Sequence, residues 1–124
     1  MAQHSAGSDR AYQCPVEVTL DVLEGKWTPI ILAHLKDGAH RYGQLRRRMP
    51  TTSEKVLTQR LRALEAADLV ERRVGAGVPA PVEYDLTDEG RTLEPVLQAL
   101  YAWGQGRAER FGLSVLNPGT ADTD

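Results

Sequence analysis

The chain has 124 residues, 41% hydrophobic and 26% charged, with a formal charge of −2 and a single cysteine. This bounds a single domain with a modest core. One cysteine excludes an internal disulfide, the lack of a run of about eighteen apolar residues excludes a helical membrane span, and no signal-peptide pattern opens the chain, so the expectation is a cytoplasmic protein. The charge is uneven: residues 41–73 hold nine Lys/Arg against four Asp/Glu, +5, which leaves −7 elsewhere. A polyanion would dock on that basic third, and the acidic remainder would keep the rest of the surface away from it.

Residues 1–12 are small and polar and read as a flexible arm. The mixed spacing of Val16, Val18, Leu20, Val22 and Leu23 allows helix or strand; Pro15 at a first helical position and Gly25 just past the end favour helix, with Cys14 as its N-cap residue. A second helix is predicted over Trp27–Lys36, with Thr28 as its cap and Pro29 in its first turn. Its Trp27/Ile31/Leu35 stripe, widened by Ile30 and Leu32, makes it nearly all core. His34 within it is read as a packing residue rather than a ligand. Asp37-Gly38 ends the helix, and His40-Arg41-Tyr42 has the form of a small strand.

Gly43 to Met49 is predicted as a short third helix, with Leu45 and Met49 inward and Arg46, Arg47 and Arg48 outward. Pro50 stops it and Thr51-Thr52 turn the chain. Ser53 then caps the next helix, with Glu54 in its first turn. Leu57, Leu61 and Leu64 recur on one face. At about 100° per residue, Lys55, Thr58, Gln59 and Arg62 fall on the other. A short helix, a tight turn and an amphipathic helix with a polar front make a helix-turn-helix, whose second helix reads the major groove while the first crosses the phosphates. The plain alternative is a surface helix with a solvated face.

Val70–Val74 and Val82–Leu86 read as two half-buried strands joined by the Gly/Pro-rich tip Gly75–Pro81, a hairpin that turns the motif into a winged helix. The tip has no Lys or Arg, which leaves Arg72 and Arg73 at its base to reach DNA. Thr87 caps a last long helix with Leu93, Val96, Leu97, Leu100, Trp103 and Phe111 on one stripe. Pro95 predicts a kink or break near Arg91–Thr92. Residues 112–124 read as a flexible tail.

The fold class is therefore α+β, mostly helical: a winged helix-turn-helix over residues 13–111 with extra N- and C-terminal helices. Those helices, residues 14–24 and 93–111, carry more large apolar side chains than one winged domain uses. A two-fold dimer is the expected use of them, and it suits paired half-sites roughly 34–36 Å apart. Lys55, Thr58, Gln59 and Arg62 are the candidate base or groove contacts. Arg46, Arg47, Arg48, Arg60, Arg72 and Arg73 are the candidate phosphate contacts.

Several blocks, "CPVEVTLDVLEGKWTPIIL", "YGQLRRRMP", "SEKVLTQRLRALEAADLVERR", "VPAPVEYDLTDEG" and Trp103-Gly104, resemble the HxlR-type family of bacterial transcription regulators, from about Cys14 to Arg107. The resemblance implies a dimeric winged-helix DNA-binding protein without enzymatic activity, with Ser53–Asp68 the recognition helix, Gly75–Pro81 the wing tip and the terminal helices the dimer contact. Some members sense electrophiles or oxidants through a cysteine at the position of Cys14. Three positions depart from the family pattern. Gly75 stands where an aromatic is common and Pro81 where a basic residue is common, which weakens a wing contact; Thr52 stands where an aliphatic residue is usual, which loosens the turn.

Cys14 has a physical case as a sensor, since a thiol at a helix N-terminus is activated by the dipole and the N–H groups there. The alternative is an inert packing cysteine. A second class of signal is a small hydrophobic effector held by Trp27, Tyr101 and Trp103, although aromatics at helical spacing are more often core. A protein-binding winged helix is disfavoured by the +5 third. An enzyme is disfavoured too: there is no phosphate-binding glycine loop, no metal-ligand spacing and no nucleophile with a base, and His4, His34 and His40 are scattered. No cofactor is expected. Double-stranded operator DNA and a second copy of the chain are the expected partners, repression is the expected mode, and an electrophile or small molecule is the candidate effector.

Overall fold

The computed structural model describes residues 11–115; the rest of the expected arm and tail, residues 1–10 and 116–124, lies outside the described residues. Six helices and three strands follow one another as α1 (Pro15–Val22), α2 (Trp27–Lys36), β1 (His40–Arg41), α3 (Tyr42–Arg48), α4 (Glu54–Ala66), β2 (Val70–Val74), β3 (Val82–Leu86), α5 (Asp88–Arg91) and α6 (Glu94–Phe111). The fold is a mostly helical winged helix-turn-helix. Its antiparallel sheet has the order β1-β3-β2, with Val70 opposite Leu86, Val74 opposite Val82 and His40 opposite Tyr84.

The core is built around α2. Ile31, Leu32 and Leu35 are completely buried, among Leu45 and Met49 of the helix-turn-helix, Leu57, Leu61 and Leu64 of α4, Leu69, Val70 and Leu86 near the sheet, and Leu97 of α6. Burial of the three α4 leucines contributes roughly 5–9 kcal/mol before the entropy of ordering them is subtracted. That burial fixes which side of α4 faces outward.

Several local expectations are revised. Thr28 does not cap α2: Lys26 occupies the N-cap position without a side-chain bond, and Thr28 lies buried inside the first turn. α3 starts at Tyr42, one residue before the predicted Gly43, and Met49 is its C-cap. α1 ends at Val22, and Gly25 takes φ +90, a left-handed conformation that turns the chain into α2. Tyr12, assigned to the arm, is tied to α1 through its hydroxyl, which donates to Asp21 Oδ2 at 2.5 Å. β2 is not half-buried: only Val70 is covered and residues 71–74 are exposed, because the hairpin leaves the body after one residue. The predicted break before Pro95 is present and separates α5 from α6.

The junction after α4 is tightly built. Asp68 adopts φ 64, the Asp68 N–H donates to Glu65 O and the Leu69 N–H to Leu64 O, both at 3.0 Å, closing a left-handed helix terminus. Thr87 caps α5 by accepting from the Gly90 N–H at 2.9 Å, while its hydroxyl donates to Asp68 O at 2.7 Å. Gly90 packs directly on this turn: a Cβ there would lie 2.1 Å from Leu69 O. α4, the wing and the start of the C-terminal helices thus meet at one closely packed corner.

Candidate nucleic-acid interface

α4 is presented by its ends and its back. Ser53 Oγ accepts from the Val56 N–H at 3.1 Å, as an N-cap should, and Leu57, Leu61 and Leu64 seat the back in the core. Lys55, Gln59 and Arg62 are exposed on the front, and none has a side-chain hydrogen bond or ion pair among the described residues. These three expected readers share one open face.

Thr58 sits at the edge of that face. It is half-buried, and its Oγ1 lies 3.4 Å from the Tyr42 hydroxyl, which also reaches Glu54 O at 3.5 Å. Tyr42 therefore touches the recognition helix from α3 at two points, a role the sequence reading did not assign to it. Its position at the start of α3, one turn before buried Leu45, is the signal that pointed there.

The expected phosphate contacts separate into three groups. Arg46 is half-buried and its Nη1 donates to Thr52 O at 2.7 Å, so it braces the turn of the helix-turn-helix. Arg47 is exposed and Arg48 half-buried on the same short helix. Arg60 lies on the flank of α4 rather than its front: its guanidinium packs against Gly25 in the α1–α2 turn, where a Cβ would come within 3.2 Å of Cζ, and its Nε is buried without a hydrogen-bond partner. Thr52 Oγ1 is likewise buried and unpartnered.

On the wing the two arginines diverge. Arg72 and Tyr84 are opposite in register, on the face that carries Val70 and Leu86; Arg72 is exposed and has no side-chain hydrogen bond or ion pair among the described residues. Arg73 points to the other face and is engaged. Its Nε and Nη2 donate to Glu71 Oε2 at 2.9 and 2.7 Å, and Nη2 also donates to Asp85 Oδ2 at 2.8 Å. Its guanidinium is held above its ordinary pKa, chiefly by the Glu71 hydrogen bond and then by the charge of Asp85. The tip, residues 75–80, is exposed and uncharged.

Cys14 is exposed at the N-cap of α1, and its side chain makes no capping hydrogen bond. α1 has no buried residue. Of the aromatics proposed for an effector pocket, Trp27 is half-buried beneath Lys26, whose Nζ lies 4.8 Å from the ring centroid, whereas Tyr101 and Trp103 stand exposed on α6. A hollow of about 390 Å³ does exist, but it lies at the base of the wing and is lined by charged groups, among them Asp68, Glu71, Arg73 and Arg91. Among the described residues no group of three or more His, Cys, Asp or Glu is placed to hold a metal, and no helix is long and apolar enough to cross a membrane.

The HxlR-like helix-turn-helix family matches residues 22–111 of the chain. The HTH-type transcriptional regulator YybR of Bacillus subtilis is 46% identical over 96 residues, 77% of this chain and 77% of its own length. Two solved structures of the redox regulator HypR are also similar. The oxidized form is 47% identical with a TM-score of 0.72, over 75% of this chain and 96% of that one. The reduced form is 42% identical with a TM-score of 0.75, over 82% and 100%.

Proposed function

The chain belongs to the HxlR-like helix-turn-helix family of transcriptional regulators, and from that premise we propose that it is a homodimeric repressor whose α4 reads operator DNA and whose Cys14 registers oxidants or electrophiles. The observation that carries the DNA reading is the front of α4: Lys55, Gln59 and Arg62 are exposed and uncommitted on a helix that is capped and buried behind. Gln suits adenine and Arg or Lys suit guanine in the major groove. Thr58 adds a contact at the edge, with Tyr42 beside its hydroxyl. Arg47 and Arg48 meet phosphates from α3, joined by Arg72 from the wing. Arg46, Arg60 and Arg73, proposed from sequence as phosphate ligands, act first on their protein neighbours.

The dimer reading is supported by apolar surface that one chain leaves open. Val16 and Leu20 on α1 are 59% and 62% exposed, and Leu100, Tyr101, Trp103 and Phe111 on α6 are at least half exposed. Covering these faces with a second copy puts Cys14 at the margin of the dimer contact, where a disulfide between chains, or a mixed disulfide with a small thiol, would change the spacing of the two recognition helices. The likeness to a redox regulator supports the same reading. Neither the catalytic constellations of hydrolases nor a cofactor enters this function.

The test is binding to a duplex from upstream of its own gene, in reducing buffer and after a mild thiol oxidant. Tight, salt-sensitive binding is expected, altered by oxidant in the wild type and not in Cys14→Ser. Oxidant sensitivity that persists in Cys14→Ser removes Cys14 as the sensor. Gln59→Ala should change sequence preference, and equal loss on cognate and random duplex would refute its role as a reader.

A further inference from the structure

The wing of this protein has little apolar attachment. Beyond Val70 every residue of β2 and all of residues 75–80 are exposed. Beyond Glu83, where the pairing with β1 ends, the hairpin is a two-stranded ribbon, and a ribbon with so little buried surface twists readily. Its base is held by the pairing of β3 with β1 and by buried Val70 and Leu86, and outside that core by a chain of charges. Asp85 on β3 receives Arg73 of β2 on Oδ2 and Arg91 of α5 on Oδ1, at 2.8 and 2.9 Å. Arg73 continues to Glu71, and Arg91 continues to Glu94 in the first turn of α6, at 3.2 Å. The Asp85 side chain is only 9% exposed, and Oδ1 also accepts the Leu86 N–H at 2.8 Å. A carboxylate this well buried and this fully partnered is held in place, because losing either guanidinium would leave one of its oxygens without a cationic partner.

We propose that Asp85 is the positioning residue of the wing: with Arg73 and Arg91 it braces the hairpin against the elbow between α5 and α6, and so holds Arg72, on the opposite face of β2, at the DNA. The inference rests on the DNA-binding reading above. It assigns the two wing arginines different work. Arg72 is an exposed cation with no protein partner among the described residues; Arg73 sits between two carboxylates that would repel a phosphate approaching it. It also links the wing to the helix that carries the dimer surface, since the brace ends on α6.

The test is a cycle in the salt dependence of duplex binding by the full-length protein. Arg72→Gln in the wild-type background should make the log K against log salt slope shallower by about one, the value for one phosphate contact. In an Asp85→Asn background, folded by its thermal melt, the same substitution should change the slope by much less, since an unbraced wing no longer presents Arg72. A residue that served only the stability of the fold would leave the Arg72→Gln step intact in both backgrounds. If Asp85→Asn does not fold, Arg91→Gln breaks the brace from the exposed side and supplies the same cycle. A step of about one in both backgrounds overturns the brace and leaves the DNA reading standing. No step in the wild type overturns it by removing Arg72 as a contact, and no salt-sensitive duplex binding by the wild type overturns both readings.

Discussion

α4 and α1 are both short helices that carry several aliphatic side chains, and the structure treats them in opposite ways. The leucines of α4 are at most 3% exposed, its N-cap Ser53 holds the Val56 N–H, and its C-terminus closes through Asp68 onto Thr87 and Gly90. α1 has no fully buried residue and only Val22 packed against the core, the side chain of its N-cap Cys14 makes no capping bond, and Val16, Val18 and Leu20 are exposed. α4 is completed by its own chain, and α1 is left to be completed by something outside it. An apolar stripe states that a face will be covered; it does not state by what.

The largest effect should come from the corner that ends α4. Gly90→Ala puts a Cβ against the Leu69 carbonyl, and backbone cannot yield as a side chain tip does; a loss of more than ~4 kcal/mol, or failure to fold, is expected in urea unfolding. Leu61→Ala on the back of α4 should cost about 3 kcal/mol in the same assay. Leu20→Ala on α1 should sharpen the contrast: its cost on the unfolding of the single chain stays within about 0.5 kcal/mol, while association of the proposed dimer, measured by sedimentation, weakens about tenfold, roughly 1.4 kcal/mol. An equal unfolding cost for Leu20→Ala and Leu61→Ala would break the comparison outright.

The two N-caps give a smaller version of the same test. Ser53→Ala should lose about 1 kcal/mol with its hydrogen bond, whereas Cys14→Ala, with no bond to lose, should stay within about 0.5 kcal/mol. Smallest, and opposite in sign, is Thr52→Val in the turn before α4. It removes a buried hydroxyl that has no partner and keeps the shape, so the melting midpoint should rise, by up to about 1 kcal/mol in stability.

Much of this was legible in the residues. The 3-4 spacing of the leucines located α4 and its buried side, Ser53 and Thr87 marked helix starts, and two five-residue strands around a Gly/Pro tip marked the hairpin. The candidate readers Lys55, Gln59 and Arg62 were found the same way, because helical geometry alone puts them opposite the leucines. What spacing could not resolve was the use of each arginine. Arg60 and Arg62 are two residues apart, yet one packs on Gly25 and the other faces outward. Arg72 and Arg73 are adjacent, yet only Arg73 meets Glu71 and Asp85. Once the register was known, the diagonal from Arg73 to Asp85 could have been drawn on paper; Arg91 could not.

The sequence by itself determined the order of elements, the helix-turn-helix with its wing, the buried face of α4 and the basic third of the surface, since all of these depend on periodicity, caps and charge that are local along the chain. Only the tertiary structure decided which cations stay available, that Asp85 links the wing to α5 and, through Arg91, to α6, that Tyr42 and Arg46 contact α4 and the turn before it, and that α1 and the far half of α6 end with apolar side chains exposed. Those outcomes depend on which side chains meet across elements distant in sequence, and a guanidinium goes to whichever carboxylate or carbonyl the packing brings within about 3 Å.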